Sequence, residues 1–404
     1  MIFVGVDWAE AHHDICVLDV EGQVLGKRRI TEGVSGLAEL HSLVADHADE
    51  PDEVIVGIET DRGLLVSALI AAGFQVYAIN PMAASRYRDR HHVSGAKSDP
   101  GDAKMLADLV RTDRQNHRRV AGDSELAEAV KVLARAHQSA IWARQRQANA
   151  LRSALREYYP AALEAFGTDL ASTDALAVLG VAPTPELGRQ LSRSKLAAAL
   201  RRGGRQRNVE SRVETIQAAL RSDQLGQSAV LSSAYGHVTI SAVRMITQFN
   251  SEIAELEEAL TEHFEQHPDA KIIRSLPGLG TILGARVLAE FGDDRTRYAD
   301  GKSRRNYAGT SPITRASGKS RVVLSRNARN KRLASALDQW AFSSLLPSPG
   351  ARHYYDELKA RDKHHRKAIR QLANKWVGIL HGCLESDCPY DENIAWSTRE
   401  ERAA

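Results

Sequence analysis

Cysteine is scarce in this 404-residue chain: Cys16, Cys383 and Cys388 are an odd number and form neither a CxxC pair nor a cysteine–histidine set at ligand spacing. That excludes a disulfide scaffold and a zinc ribbon, and it points to a reducing, cytoplasmic setting. Aromatic residues make up only 5% of the chain, which leaves no aromatic base-stacking platform and no RNA-recognition signature. No uncharged stretch approaches the roughly 20 apolar residues of a membrane span, so a membrane partner is not expected. The opening MIFVGVDWAEAHHD lacks a basic start and reaches Asp7 too early for a secretory signal. What the chain does have is 43% apolar and 26% charged residues, which is ample for packed cores. Single cores stop growing at roughly 250–300 residues, so two or three domains are expected.

Acidic residues are missing where basic ones crowd. Positions 301–335 hold ten Lys and Arg and no Asp or Glu. Positions 271–375 hold 23 basic against 8 acidic residues, whereas positions 1–120 hold 13 against 19. This asymmetry suggests a polyanion partner, although charge alone fits a solvated face equally well.

Periodicity divides the chain into four segments: 1–120, 121–268, 269–385 and a polar, loose tail, 386–404. The first reads as α/β. Ile2–Val6, Asp14–Leu18 and Gln23–Ile30 form a three-strand meander, with a turn at Glu21-Gly22. Val54–Ile58, a helix over Leu64–Ala72 and the strand Gln75–Ile79, stopped by Asn80-Pro81, form a parallel pair with a crossover. A helix runs from Asp99 to Arg111, with Pro100 in its first turn. Segment 121–268 is all-α: one long helix over Ser124–Tyr159 and a second run over Gln206–Gln266, interrupted near Gly226 and Gly236, read as an antiparallel arm. Segment 269–385 opens with Ser275-Leu276-Pro277-Gly278-Leu279-Gly280, the pattern of a helix–hairpin–helix. There, Gly278 and Gly280 would let backbone N–H groups approach a phosphate; a plain hairpin without a ligand fits the same residues. Helices follow over Lys331–Leu346 and Tyr354–Leu384.

Four carboxylates stand where folding alone does not ask for them. Asp7 follows one apolar strand, Glu59 ends another, and Asp99 and Asp102 share a face at a helix start. Carboxylates at the ends of buried strands repel one another unless something positive compensates them. An all-oxygen donor set selects Mg²⁺, with Mn²⁺ as a substitute, over zinc, and two such ions would serve in-line phosphoryl displacement. Singly, Asp99 fits a helix cap with Asp102 favouring the dipole, and Asp7 fits a turn. Jointly the four match an RNase-H-like layout. A sugar-kinase or actin-type ATPase also opens on Gly-x-Asp, but Trp8-Ala9-Glu10 offers no glycine or hydroxyl to cradle phosphate. The pairs His91-His92 and His364-His365 point apart on a helix and read as basic surface.

Three stretches resemble the DEDD transposases of the insertion-sequence 110 family: Gly5-Val6-Asp7-Trp8-Ala9 with His13-Asp14, Lys97-Ser98-Asp99-Pro100-Gly101-Asp102-Ala103, and Leu276–Gly280 followed by Tyr307-Ala308-Gly309-Thr310-Ser311-Pro312 and Ala316-Ser317-Gly318-Lys319. They span nearly the whole chain in the family's order. The resemblance implies a RuvC-like (RNase-H-like) domain, a coiled-coil arm and a mostly helical transposase domain. It implies that Asp7, Glu59, Asp99 and Asp102 are the metal-site residues, that Ser317 is the nucleophile, and that metal site and serine act as one centre. It further implies a homo-oligomer, dimer or tetramer, that uses a guide (bridge) RNA pairing with donor and target DNA. By local sequence alone Ser317 is a turn residue beside Gly318, and Ser311, Ser320 and Ser325 are equally near. Arg304, Arg305, Arg315, Lys319, Arg321, Arg326, Arg329 and Lys331 are the basic residues expected to meet phosphates.

The expected function is therefore metal-dependent DNA recombination with a phosphoserine intermediate. Two other functions fit parts of the same sequence: a junction-resolving endonuclease that uses the carboxylates without the serine, and a non-catalytic nucleic-acid-binding protein.

Overall fold

A computed structural model describes residues 1–91, 98–120, 122–318, 320–326 and 329–397, so Lys97, His92 and Lys319 lie outside the described residues. The chain divides into two compact units, Met1–Gly122 and Asp123–Ala404.

The first unit is built on a six-stranded sheet in the order β3-β2-β1-β4-β5-β6. Its strands are β1 (Ile2–Trp8), β2 (His12–Leu18), β3 (Val24–Thr31), β4 (Val54–Ile58), β5 (Gln75–Ala78) and β6 (Arg118–Arg119). β1 pairs antiparallel with β2 and β2 with β3, β1 and β4 run parallel, as do β4 and β5, and β6 closes the edge antiparallel. Helices α1 (Val34–Ala45), α2 (Leu64–Ala71), α3 (Pro81–His91) and α4 (Asp99–Asp113) complete the unit. The central strands are buried on both faces, so they read as continuous apolar runs rather than as alternation. Val4, Val6, Ile15, Val56 and Ile58 share a core with Leu40 of α1 and Leu65 and Leu69 of α2. Phe3, Cys16, Leu18 and Ile55 share the opposite one with Ala103, Leu106, Ala107 and Val110 of α4.

Two glycines decide how α4 sits. Gly5 and Gly57 are direct partners across the β1–β4 pair. A Cβ on Gly5 would come within 1.8 Å of the Ala103 carbonyl oxygen, and one on Gly57 within 2.6 Å of the Leu106 carbonyl oxygen. The helix backbone therefore lies directly on the strands, a distance that no side chain permits. α3 is absent from the sequence-based expectation, which reads Asn80-Pro81 only as a stop. Asn80 Oδ1 instead accepts the Met82 N–H at 2.8 Å, and Pro81 fills a first-turn position, so the same dipeptide starts a helix.

The second unit is helical apart from one ribbon. Its long helices are α5 (Glu125–Tyr158) and α11 (Ala229–Glu265), with α6 (Pro160–Phe166), α7 (Thr173–Val181), α8 (Pro185–Gln190), α9 (Arg193–Arg202) and α10 (Val209–Arg221) between them. Val130 and Ala134 share a core with Leu260 and Phe264, whereas Leu151 and Leu155 share one with Ala242 and Ile246. α5 and α11 are therefore antiparallel. Gly236 was expected to interrupt the second helix, but α11 runs through it. A Cβ there would meet the Thr184 methyl at 2.8 Å, so this glycine marks a close approach. The base of the pair packs with α12 (Ala270–Ser275), α13 (Thr281–Phe291), α14 (Gly301–Ala308), α15 (Lys331–Ser343), α16 (Pro349–Ala360) and α17 (His365–Glu385) in one core. Between α14 and α15 lies a two-stranded ribbon, β7 (Ile313–Ser317) and β8 (Ser320–Leu324).

The tail from Ser386 was expected to be loose. Instead α18 (Glu392–Trp396) docks: Trp396 stacks edge-on against Trp376 and tilts against Tyr354, and Gly350 leaves the room it fills. No described helix is long and apolar enough to cross a membrane.

Gly5→Ala should lower the stability of the first unit by about 3 kcal/mol through overpacking, read as a lower midpoint in thermal or denaturant unfolding. Gly226→Ala, whose Cβ would meet nothing within 4 Å, serves as the control and should stay within about 0.5 kcal/mol of wild type.

Candidate metal centre and nucleic-acid surface

The four carboxylates arrive from two strands and one helix start. Strand alternation puts Asp7 on the face of Phe3 and Gly5, the face that α4 covers. Val6 pairs with Ile58, so Glu59 is the next residue in step with Asp7. α4 begins over the same face. Its N-cap is Ser98, whose side chain accepts the Gly101 N–H at 3.3 Å. The cap that Asp99 might have supplied is thus already supplied, which leaves the Asp99 carboxylate available. Asp99 is exposed and Asp102 is buried at 6% exposure.

Register places Asp7 and Glu59 at neighbouring strand ends on one sheet face, but among the described residues no three of the four carboxylates form a group at ligand distance. Among the described residues, the group whose ligand atoms all lie within 4.8 Å is His12, Asp14 and Asp99. Asp14 was not among the sequence-derived site residues. It is the antiparallel partner of Asp7, and it lies two residues after His12 on the same face of β2. Hairpin register together with period-two alternation was the signal that would have found it.

Two guanidinium groups compensate the cluster. Arg29, opposite Asp14 on β3, donates to Asp14 Oδ2 through Nε at 3.1 Å and through Nη2 at 2.7 Å, and its Nη2 also reaches Asp99 Oδ2 at 3.3 Å. The hydrogen bond to Asp14 raises the Arg29 pKa. Arg88 of α3 pairs with Asp102 at 2.8 Å. Alongside, buried His13 bonds Glu32 through Nε2 at 2.6 Å and stacks on Trp8. The group at ligand distance offers two carboxylates and one imidazole nitrogen, and its carboxylate oxygens suit a hard divalent cation.

In the second unit, Ser317 is the last residue of β7 and lies opposite Ser320, across a two-residue connection in which Gly318 takes φ +54. Both strands are exposed, apart from the half-buried Ile313, so the hydroxyl is accessible. Sequence reading missed this ribbon, although Ile313–Ser317 and Ser320–Leu324 flanking Gly-Lys carry a hairpin signal. Arg315 and Arg321 stand exposed on the ribbon and Lys331 is exposed at the start of α15. Arg326 and Arg329 are half-buried, and the aliphatic stem of Arg329 packs against Gly309.

One expected nucleic-acid contact, Arg304, is corrected. Arg304 is only 3% exposed, with its guanidinium 4.7 Å from the Tyr298 ring centroid and 5.5 Å from that of Phe291. Burial lowers its pKa to about 10. Arg305 donates through Nε to the Asn374 carbonyl at 3.1 Å and lies against Gly378 of α17. Charge counting could not separate Arg304 from the solvated arginines, because α14 turns it inward. Gly278, at φ +82, lies against the backbone of Ser343 and Ser344, and Trp340 Nε1 donates to the Pro277 carbonyl at 2.9 Å. Packing against the end of α15 accounts for Gly278. Gly280 is exposed with open space around it.

Residues 4–160 match a family model described as a transposase, the DEDD type of IS110, and residues 270–356 match one described as a transposase of the IS116/IS110/IS902 family. The chain is 45% identical over 407 residues to a mini-circle protein of IS117 from Streptomyces coelicolor, named as a transposase candidate, with all of this chain and 98% of the relative covered. It is 29% identical to the 42 kDa protein of insertion element IS900 from Mycobacterium paratuberculosis, over 96% of this chain and 97% of that one. It is 27% identical to the 43.6 kDa protein of insertion element IS110 from Streptomyces coelicolor, over 97% and 96%.

Arg304→Gln should lower thermal stability and leave DNA affinity unchanged. Arg315→Ala and Arg321→Ala should weaken nucleic-acid binding uniformly across sequences, each reducing the slope of log affinity against log salt by about 1. A salt-titrated binding series on the three variants checks both statements.

Proposed function

The chain belongs to the IS116/IS110/IS902 family of insertion-sequence transposases, and from that membership we propose that it carries out DNA strand exchange with a carboxylate-held metal and a serine nucleophile. The first unit is read as an RNase-H-like, RuvC-like domain. What supports this is the antiparallel meander continued by two parallel strands, with β1 at the centre. The observation that supports the metal reading is the seating of α4 on Gly5 and Gly57, since it brings the start of that helix over the sheet face on which Asp7 lies.

Asp7, Glu59, Asp99 and Asp102 would hold Mg²⁺ or Mn²⁺, which when bound supplies charge stabilisation at a reacting phosphate. The chain's own residues do the rest. Ser317 Oγ attacks the phosphorus of a DNA phosphodiester and loses its proton. The bond to one deoxyribose oxygen breaks, and that oxygen leaves as a hydroxyl. The phosphoserine ester retains the bond energy, so a second hydroxyl can reverse the step and rejoin the strands without an external energy source. A free serine is a weak nucleophile and needs activation. Arg315 shares the ribbon face of Ser317, two residues earlier, and offers a guanidinium to the nonbridging oxygens. Donor and target sites would be chosen by base pairing with a guide RNA, which accords with a basic surface poor in aromatics. The protein would act as a homo-oligomer.

The test is a strand-transfer assay in Mg²⁺ with labelled donor and target DNA and the RNA that co-purifies with the protein. Asp7→Asn and Asp99→Asn should lower transfer at least about 100-fold while leaving the folded oligomer intact. Wild type should form a covalent protein–DNA adduct that Ser317→Ala lacks. Full transfer by Ser317→Ala would remove the serine step, and free 5′-phosphate ends without an adduct would indicate a metal-dependent nuclease instead.

A further inference from the structure

We infer that Arg29 is an exchangeable counter-cation of the metal site: tethered to Asp14, it occupies Asp99 when the metal is absent and gives Asp99 up when the metal binds. The inference rests on reading Asp99 as a metal ligand.

The two carboxylates that share Arg29 are held differently. Asp14 is buried at 5% exposure, and a buried carboxylate keeps its charge only with a committed partner. Arg29 provides that through two nitrogens that converge on Oδ2, at 2.7 and 3.1 Å, one of them in the charge-assisted range of roughly 2.7–2.9 Å. The contact to Asp99 is a single one at 3.3 Å, between side chains 52% and 56% exposed. Ion pairs of that exposure and length contribute little and break easily. The guanidinium is thus anchored on one carboxylate and leans on the other.

Asp102, the other helix-start carboxylate, shows the contrast. Its partner Arg88 is 2.8 Å away, with the two side chains 22% and 9% exposed, so that contact is shorter and more enclosed than the one to Asp99. Asp99 is the member of the helix-start pair whose protein cation is held loosely. The ligand atoms of His12, Asp14 and Asp99 lie within 4.8 Å of one another. A divalent cation at Asp99 would therefore compete directly with Arg29 for that carboxylate. Because Asp14 keeps hold of the displaced guanidinium, the positive charge would stay beside the site and remain available to a phosphate oxygen.

Mn²⁺ binding to the full-length protein, followed by electron paramagnetic resonance of the free ion, tests this. Arg29→Gln should bind Mn²⁺ about two- to fivefold more tightly than wild type, the worth of an exposed ion pair removed from competition. Arg29→Gln leaves Asp14 buried and unpaired, so the charge-neutral double variant Asp14→Asn/Arg29→Gln is measured beside it and should also bind more tightly than wild type. Because the double variant has wild-type net charge, tighter binding there cannot come from overall electrostatics. Arg28→Gln, the neighbouring charge on the opposite sheet face, should leave the affinity unchanged. If Arg29→Gln and the double variant both bind as wild type does, or if Arg28→Gln tightens binding equally, the exchange is overturned while the metal site stands. Mn²⁺ binding by wild type that Asp99→Asn does not weaken would overturn the metal reading itself, and the role of Arg29 with it.

Discussion

The first unit depends on one close contact, the backbone of α4 against the backbones of β1 and β4. It requires Gly5 and Gly57, since a methyl group at Gly5 would overlap the Ala103 carbonyl at 1.8 Å. The contact does two things together. It closes the apolar layer made by Phe3, Ile55, Leu106 and Val110, and it fixes the height at which the first turn of α4 meets the strand ends. Apolar packing and acidic chemistry are thus set by the same two missing side chains. Moving the helix outward by the width of a methyl group would open the core and lift Asp99 and Asp102 away from the sheet face.

The acidic cluster also shows how a protein tolerates crowded carboxylates. Asp14 and Asp102 are buried, and each has an arginine. Asp99 is exposed and shares the arginine of Asp14. Desolvation cost rises with burial, so committed partners go to the buried groups, and the exposed group is left adaptable. In the second unit the same side-chain type is used the other way. Arg304 forgoes a carboxylate and lies over Tyr298 and Phe291, filling an aromatic pocket at the cost of a lowered pKa. Arg135 and Asn330 instead meet buried Glu290 at 2.9 and 2.6 Å, tying α5 and the cap of α15 to α13.

Much of this was legible in the sequence, for physical reasons that can be named. The meander, the parallel pair and the long helices α5 and α11 follow from hydrophobic period and from turn residues. Asp99 and Asp102 stand out because Ser98 and Pro100 mark a helix start independently of them. What escaped was set by contacts between distant segments. The role of Asp14 depends on a hairpin register and on Arg29, fifteen residues away. Arg304 looks like surface charge until Tyr298 and Phe291 are seen beneath it. Gly236 looks like a break until Thr184 is seen beside it, and the docking of Trp396 depends on Trp376 and Gly350. Composition cannot carry such information, because it says what a residue is and not what faces it.

The central claim is that the acidic side chains of the first unit converge on a divalent cation, and crystals of the protein soaked in Mn²⁺ test it most directly by anomalous diffraction. The account predicts an anomalous peak ligated by carboxylate oxygens of Asp7, Glu59, Asp99 and Asp102. A Mn²⁺-soaked crystal in which those four carboxylates stay paired with arginines or solvent, with no peak among them, would contradict it.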